Sequence, residues 1–140
     1  MKLSTRGRYG TRLIMELARN YGKGPVSVSA IAVKQEIAFK YLEQLIIPFK
    51  KAGFVTSIRG PKGGYMLTKS PDMIRLWDIL TLLEDHLSIV DCISDETVCD
   101  NTSDCPIRPI WGKAFNAMMK VFKETSLADI LYTEKPYQKS

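Results

Sequence analysis

All three cysteines of the chain, Cys92, Cys99 and Cys105, fall in one acidic run, DCISDETVCDNTSDCP, at residues 91–106. The run also holds Asp91, Asp95, Glu96, Asp100 and Asp104 and contains no Lys or Arg. The spacing C-x6-C-x5-C is looser than the CxxC pairs of zinc ribbons and one thiol short of an all-cysteine cluster site. In a reducing compartment an odd set of three thiols is not a disulfide framework. Metal or cluster ligation, redox exchange and plain burial remain. Whichever applies, the elements on either side decide what the thiols can influence.

The chain has 140 residues and is 45% hydrophobic, enough for one globular core with a small extra unit or a long appended helix. No charged-then-apolar leader and no apolar run of about 18 residues occurs, so a soluble, cytoplasmic protein with no membrane partner is expected. The net charge of +5 conceals an asymmetry: residues 1–75 carry 14 Lys/Arg against 4 Asp/Glu, or +10, and residues 76–140 carry 6 against 11, or −5. A basic N-terminal half suits a partner bearing phosphates, although a solvated basic face would read the same way.

Taken in order, Ser4 or Thr5 can cap a first helix with Leu13, Ile14, Leu17, Ala18 and Tyr21 on its apolar side, stopped by Gly22 and Gly24. Arg6, Arg8 and Arg12 fall off that stripe and can lie along a phosphate backbone. Ser27 can cap a short helix to about Glu36, with Ile31 and Ala32 inward. A second helix over 38–52 buries Tyr41, Leu42, Leu45, Ile46 and Phe49 and contains Pro48, which should bend or tighten it. Two short helices joined by a tight turn form a helix-turn-helix candidate whose second helix exposes Lys40, Glu43, Gln44 and Lys50. Glutamine can bond both edge groups of adenine, and glutamate accepts from the cytosine amine while repelling phosphates, so Glu43 narrows the choice of site.

Two β patterns, 54–58 and 65–68, flank Arg59-Gly60-Pro61-Lys62-Gly63-Gly64, an extended hairpin tip that completes a winged helix and can bring Arg59 and Lys62 to a minor groove. A helix over 73–85 leads into the cysteine run. Beyond it, Ile107, Ile110, Trp111, Ala114, Met118, Val121 and Phe122 repeat at helical spacing. Pairing with a second copy would bury this stripe and provide the two-fold axis of a palindromic site; packing on its own domain is the alternative. Ser126 can cap a last helix over 127–131, and the tail 134–140 reads as disordered. The fold class is mainly α with a small β-hairpin. It divides into a winged helix-turn-helix domain at 1–85, a cysteine-bearing loop at 86–106, and a dimerisation helix with C-terminal segment at 107–140.

MKLSTRGRYG, YLEQL, RGPKGGYML and LWDIL, followed by three cysteines and a long helix, occur together over nearly the whole chain. In this it resembles the IscR-like (Rrf) family of bacterial winged-helix transcription regulators. The resemblance implies a homodimer on palindromic double-stranded promoter DNA and no enzymatic activity. Its matching positions put Tyr41, Glu43 and Gln44 in the reading helix and Arg59, Gly60, Pro61, Lys62, Gly63 and Gly64 in the wing, beside Arg8 and Lys40, which the helical patterns already turn toward DNA. It also implies an iron-sulfur cluster, 2Fe-2S in preference to 4Fe-4S, held by Cys92, Cys99 and Cys105 and sensing cluster supply, iron, nitric oxide or redox state.

The sequence departs from the family pattern at several points. The first cysteine gap is one residue longer than the common C-x5-C-x5-C. Arg108 stands where a histidine three residues after the last cysteine would complete the site, and Arg8 where some relatives supply an aspartate. The fourth ligand is therefore open among His86, Asp100, Asp104, a partner carboxylate and an exogenous group. Glu36 replaces a usual glycine and Ala38 a usual capping serine, so the turn needs other support. Two further readings stand beside the cluster sensor. One is a cluster-free regulator of the same fold controlled by a partner protein of cysteine metabolism, or a zinc-bound form of it. The other is a small thiol redox protein, which leaves the wing and the basic half unexplained.

Overall fold

The computed structural model describes residues 2–85, 87 and 105–133. Helix α1 spans Thr5–Arg19 and starts where the sequence predicts, with the Ser4 hydroxyl accepting the Gly7 N–H at 3.0 Å. Leu13, Ile14, Leu17 and Ala18 form its buried stripe. Tyr21 does not join them and is 42% exposed. It lies past the capping residue Asn20, where the turn carries the chain off the helical period.

Helices α2 (Val28–Gln35) and α3 (Phe39–Lys51) form the helix-turn-helix. Ser27 caps α2 by accepting the Ala30 N–H at 3.1 Å. Ala38 gives α3 no side-chain cap, and the support that the sequence leaves unassigned comes from the other end of the turn. Glu36 adopts a left-handed conformation with φ 55°, and the Ile37 N–H bonds back to Ala32 O at 3.1 Å. The Arg12 guanidinium donates to Gln35 O at 2.6 Å, covering a carbonyl that α2 leaves open, while Ile37 is buried in the core.

A non-glycine residue in this conformation is strained, and among the described residues no bond compensates the exposed Glu36 side chain. Glu36→Gly is expected to stabilise the fold by about 1 kcal/mol, read as a rise in melting temperature of a few degrees. An unchanged or lower melting temperature would contradict the strain. Pro48 lies inside α3, which continues beyond it to Lys51, and Leu42, Leu45, Ile46 and Phe49 face the core. Burying side chains of this size contributes about 1.5–3 kcal/mol each.

Strands β1 (Val55–Ile58) and β2 (Gly64–Leu67) pair antiparallel, with Val55 opposite Leu67 and Ile58 opposite Gly64. Val55 and Leu67 are buried, anchoring the base of the hairpin while its tip stays exposed.

The helix expected from residue 73 begins later. Pro71–Met73 makes one 3-10 turn, Ile74 and Arg75 are extended, and α4 covers Leu76–Leu83. The interruption is tertiary in origin: Arg75 pairs with Ser126, the Leu76 N–H bonds Thr125 O at 2.8 Å, and the Leu127 N–H bonds Ile74 O at 2.9 Å. No local pattern announces a partner 50 residues away.

Helix α5 spans Arg108–Glu124 and packs on α4, yet none of its residues is fully buried. Helix α6, Leu127–Thr133, then returns to the head and packs on α1, with Leu127 wholly buried. A reciprocal box opens α6: Ser126 Oγ accepts the Asp129 N–H at 3.0 Å, and Asp129 accepts the Ser126 N–H at 2.9 Å. The Ser126 backbone N–H first, and then the Ser126 side chain, hold the Asp129 carboxyl below its ordinary range. The box is therefore intact at neutral pH and weakens only as pH falls through that lowered value. No helix among the described residues is long and apolar enough to cross a membrane.

Candidate nucleic-acid interface

Lys40, Glu43, Gln44, Ile47 and Lys50 are exposed on α3, on the side away from its buried stripe. Tyr41 is half-buried rather than fully inward. Its ring meets Tyr9 of α1 edge to face, with centroids 5.9 Å apart and planes at 81°. The Arg12 guanidinium lies 5.3 Å from the Tyr9 centroid and that of Arg8 6.0 Å. The start of α1 is thereby fixed to the start of α3.

The three arginines of α1 do not serve alike. All three are exposed, but Arg12 is tied to Gln35 through the carbonyl bond above and through Nε to the side-chain oxygen at 2.9 Å. Arg12 positions α2 and is not a spare cation for phosphates.

A buried acid unnoticed in the sequence reading explains the rest of this anchoring. Glu16 is 2% exposed and accepts from Gln35 Nε2 at 2.6 Å, Lys34 Nζ at 3.0 Å and Arg19 at 2.7 Å. Gln35 thus gives its amide to Glu16 and its carbonyl oxygen to Arg12, and α1 grips the end of α2 from both sides. An acid lying among Leu13, Ile14, Leu17 and Ala18 on the apolar stripe was the available signal, since a buried charge needs partners.

The wing is held against the reading unit by backbone pairing. The Val26 N–H bonds Tyr65 O at 2.9 Å and the Tyr65 N–H bonds Val26 O at 2.8 Å, so β2 is pinned to the residues just before α2. Lys50 Nζ lies 5.6 Å from the Tyr65 ring centroid, linking α3 to the same strand. At the tip, the Gly63 N–H closes on Gly60 O at 2.9 Å. A Cβ at Gly63 would fall 2.1 Å from Ile58 O, so the turn excludes any side chain there. Arg59, Gly60, Pro61 and Lys62 are exposed, and neither cation pairs with a described carboxylate. Two unpaired cations on a rigid, narrow tip suit phosphate oxygens lining a groove.

Of the candidate ligands only Cys105 is described, as a half-buried free thiol three residues before α5. Cys92, Cys99, His86, Asp100 and Asp104 lie outside the described residues, as does the tail 134–140. Among the described residues no group of three or more His, Cys, Asp or Glu could hold a metal. By chemistry, three thiolates suit cluster iron. Arg108, in the first turn of α5, offers no lone pair, so a fourth protein ligand has to come from elsewhere.

The other end of the cysteine segment is tied to the reading head. Glu84 follows α4, and its carboxylate accepts from Ser4 N at 3.0 Å and Ser4 Oγ at 2.8 Å. Close approach there depends on small residues in α1. A Cβ at Gly10 would lie 2.4 Å from Leu83, and one at Gly7 would meet the Glu84 carboxylate.

Two helices joined by a tight turn, a pinned hairpin with a basic tip and an exposed polar face on the second helix define a winged-helix DNA-binding regulator. The comparisons agree. The chain belongs to the Rrf2 family, whose model, described as an iron-dependent transcriptional regulator, matches residues 3–133. It is 40% identical over 131 residues to protein rrf2 of Nitratidesulfovibrio vulgaris, covering 94% of this chain and 87% of that one. It is also 40% identical over 135 residues to the regulator CymR of Bacillus subtilis, covering 96% and 93%. Among solved structures it resembles that of CymR, the global cysteine regulator of B. subtilis, with a TM-score of 0.81 and 38% identity over 96% of this chain and 99% of that one. T. potens IscR gives 0.77 and 34% identity, covering 100% and 93%. The chain is thus a DNA-binding transcription regulator and not an enzyme, as its sequence suggested.

Proposed function

We propose that the chain acts as a homodimer on two-fold-symmetric promoter DNA, with its affinity or site choice set by an iron-sulfur cluster on Cys92, Cys99 and Cys105. The position of the cysteine segment carries this reading. It leaves α4 at Glu84, which is bonded to the start of α1, and rejoins the chain at Cys105, just before α5. Ordering the segment is then felt both by the reading head and by a helix that packs on α4 yet keeps apolar side chains exposed among the described residues. Ile107, Ile110 and Val121 are 44%, 50% and 59% exposed, and burying them against the same helix of a second copy supplies the two-fold axis. Lys40, Tyr41, Glu43 and Gln44 contact the major groove, Arg59 to Gly63 contact the minor groove, and Arg8 lies on the backbone.

Cys92, Cys99 and Cys105 would hold the cluster, with His86, Asp100, Asp104 or an outside group completing the site. Bound there, a cluster supplies a redox couple and a centre sensitive to iron supply and nitric oxide. The chain's own residues do the coupling: thiolate ligation restrains the segment, and Glu84 and α5 transmit the restraint.

Protein prepared without oxygen is expected to be brown and to contain iron with acid-labile sulfide. Changing all three cysteines to alanine should abolish both, together with the response of promoter binding to iron or nitric oxide. Unchanged binding and response in that variant would end the sensing proposal.

A second reading is favoured by Arg108 at the expected ligand position and by the likeness to CymR. In it the same dimer carries no cluster and answers to a partner protein of cysteine metabolism, or holds zinc. Colourless protein without sulfide selects this reading, and stoichiometric zinc selects its metal-bound form.

A further inference from the structure

The exposed face of α3 is polar at Lys40, Glu43, Gln44 and Lys51, with two apolar exceptions, Phe39 at its start, 44% exposed, and Ile47 near its centre. Ile47 is 46% exposed and lies four residues after Glu43 and three after Gln44, on the same side of the helix. It contributes nothing to the core built by Leu42, Leu45, Ile46 and Phe49. A branched aliphatic side chain among groups suited to base edges has one chemical counterpart in the major groove, the C5-methyl of thymine.

The geometry limits where that methyl would lie. Four helical residues rise about 6 Å, one to two base-pair steps, so Ile47 is offset from Glu43 by that distance along the groove. Glu43 accepts from a cytosine amine, and a β-branched residue one turn on has little conformational freedom to lose on contact. From this we infer that Ile47 is a specificity-determining residue that reads a thymine methyl within about two base pairs of the cytosine bonded to Glu43. The inference rests on the assignment of α3 as the base-reading helix.

The test begins with selection of bound duplexes from a random double-stranded DNA library, using the full chain. In the recovered consensus each thymine is then replaced in turn by deoxyuridine, which removes the methyl and leaves pairing intact. The cytosine read by Glu43 is located as the position where Glu43→Ala relaxes the preference. Wild type is expected to lose about three- to tenfold in affinity at one thymine within two base pairs of that cytosine. Ile47→Ala should bind the thymine and deoxyuridine duplexes equally. If no replacement changes wild-type affinity, or if the loss persists in Ile47→Ala, the inference is overturned. If selection recovers no consensus, the assignment of α3 as a reading helix fails, and the inference with it.

Discussion

Changing Arg59 and Lys62 together to alanine is expected to weaken promoter binding about 10- to 100-fold near physiological salt while leaving the preferred sequence unchanged. Both side chains stand on the exposed wing tip without a carboxylate partner among the described residues, so neither has an ion pair there to lose. What they supply is charge, and phosphate contact by two cations releases about two counterions. The slope of log affinity against log salt should therefore become shallower by about 2, a signature distinct from loss of fold. The hairpin itself stays in place, because β2 is pinned at Val26 and the turn relies on Gly60 and Gly63. If affinity and slope both match wild type, the wing does not touch DNA.

The largest effect on stability should follow from Glu16→Ala. Its carboxylate is the shared acceptor of Gln35, Lys34 and Arg19, and its side chain is 3% exposed. The three donors do not suffer equally when it is removed. The Lys34 side chain is 61% exposed and that of Arg19 32%, so both ammonium and guanidinium can turn to water. Gln35 is held from the far side by Arg12 and keeps a less accessible amide without its acceptor. With the volume lost beside Leu13 and Leu17, the cost is about 2–3 kcal/mol, or roughly 6–12 °C in melting temperature. Glu16→Gln keeps the volume and some of the bonds and should cost about 1 kcal/mol. Lys34→Ala should cost under about 1 kcal/mol, since an exposed pair contributes little. Urea titration of the three variants orders them, and a Glu16→Ala cost below that of Lys34→Ala would mean that the network does not hold α2 to α1.

How much was legible in the sequence depended on how local each cause was. The Ser4, Ser27 and Ser126 caps, the stripes of α1 and α3 and the glycine-rich wing all follow from short-range spacing, and each element formed near its predicted bounds. The late start of α4 did not, because the bonds from Leu76 to Thr125 and from Leu127 to Ile74 that set it join distant parts of the chain. The same reason hid the role of Arg12. Three arginines off an apolar stripe look alike as a pattern, and only the approach of Gln35 separates Arg12 from the other two. The bonds from Ser4 to Glu84 also join distant parts of the chain, and no local pattern announces them. Lys40, Glu43, Gln44, Arg59 and Lys62 were readable as exposed groups because a winged helix dictates its outward positions from its own periodicity.

The return of α6 to α1 bears on how the molecule is made. Helix α1 precedes in the chain every element that covers it, and its covering is completed last: its seat includes Leu83 and Glu84, and Leu127 closes the same core. Contacts this distant in sequence form late in synthesis, so the covering of α1 that α2, α3, β2 and α4 begin is finished only once more than 100 further residues have been added. A chain cut short before Leu127 would contain every residue assigned to reading DNA and still lack a finished core on which to mount them.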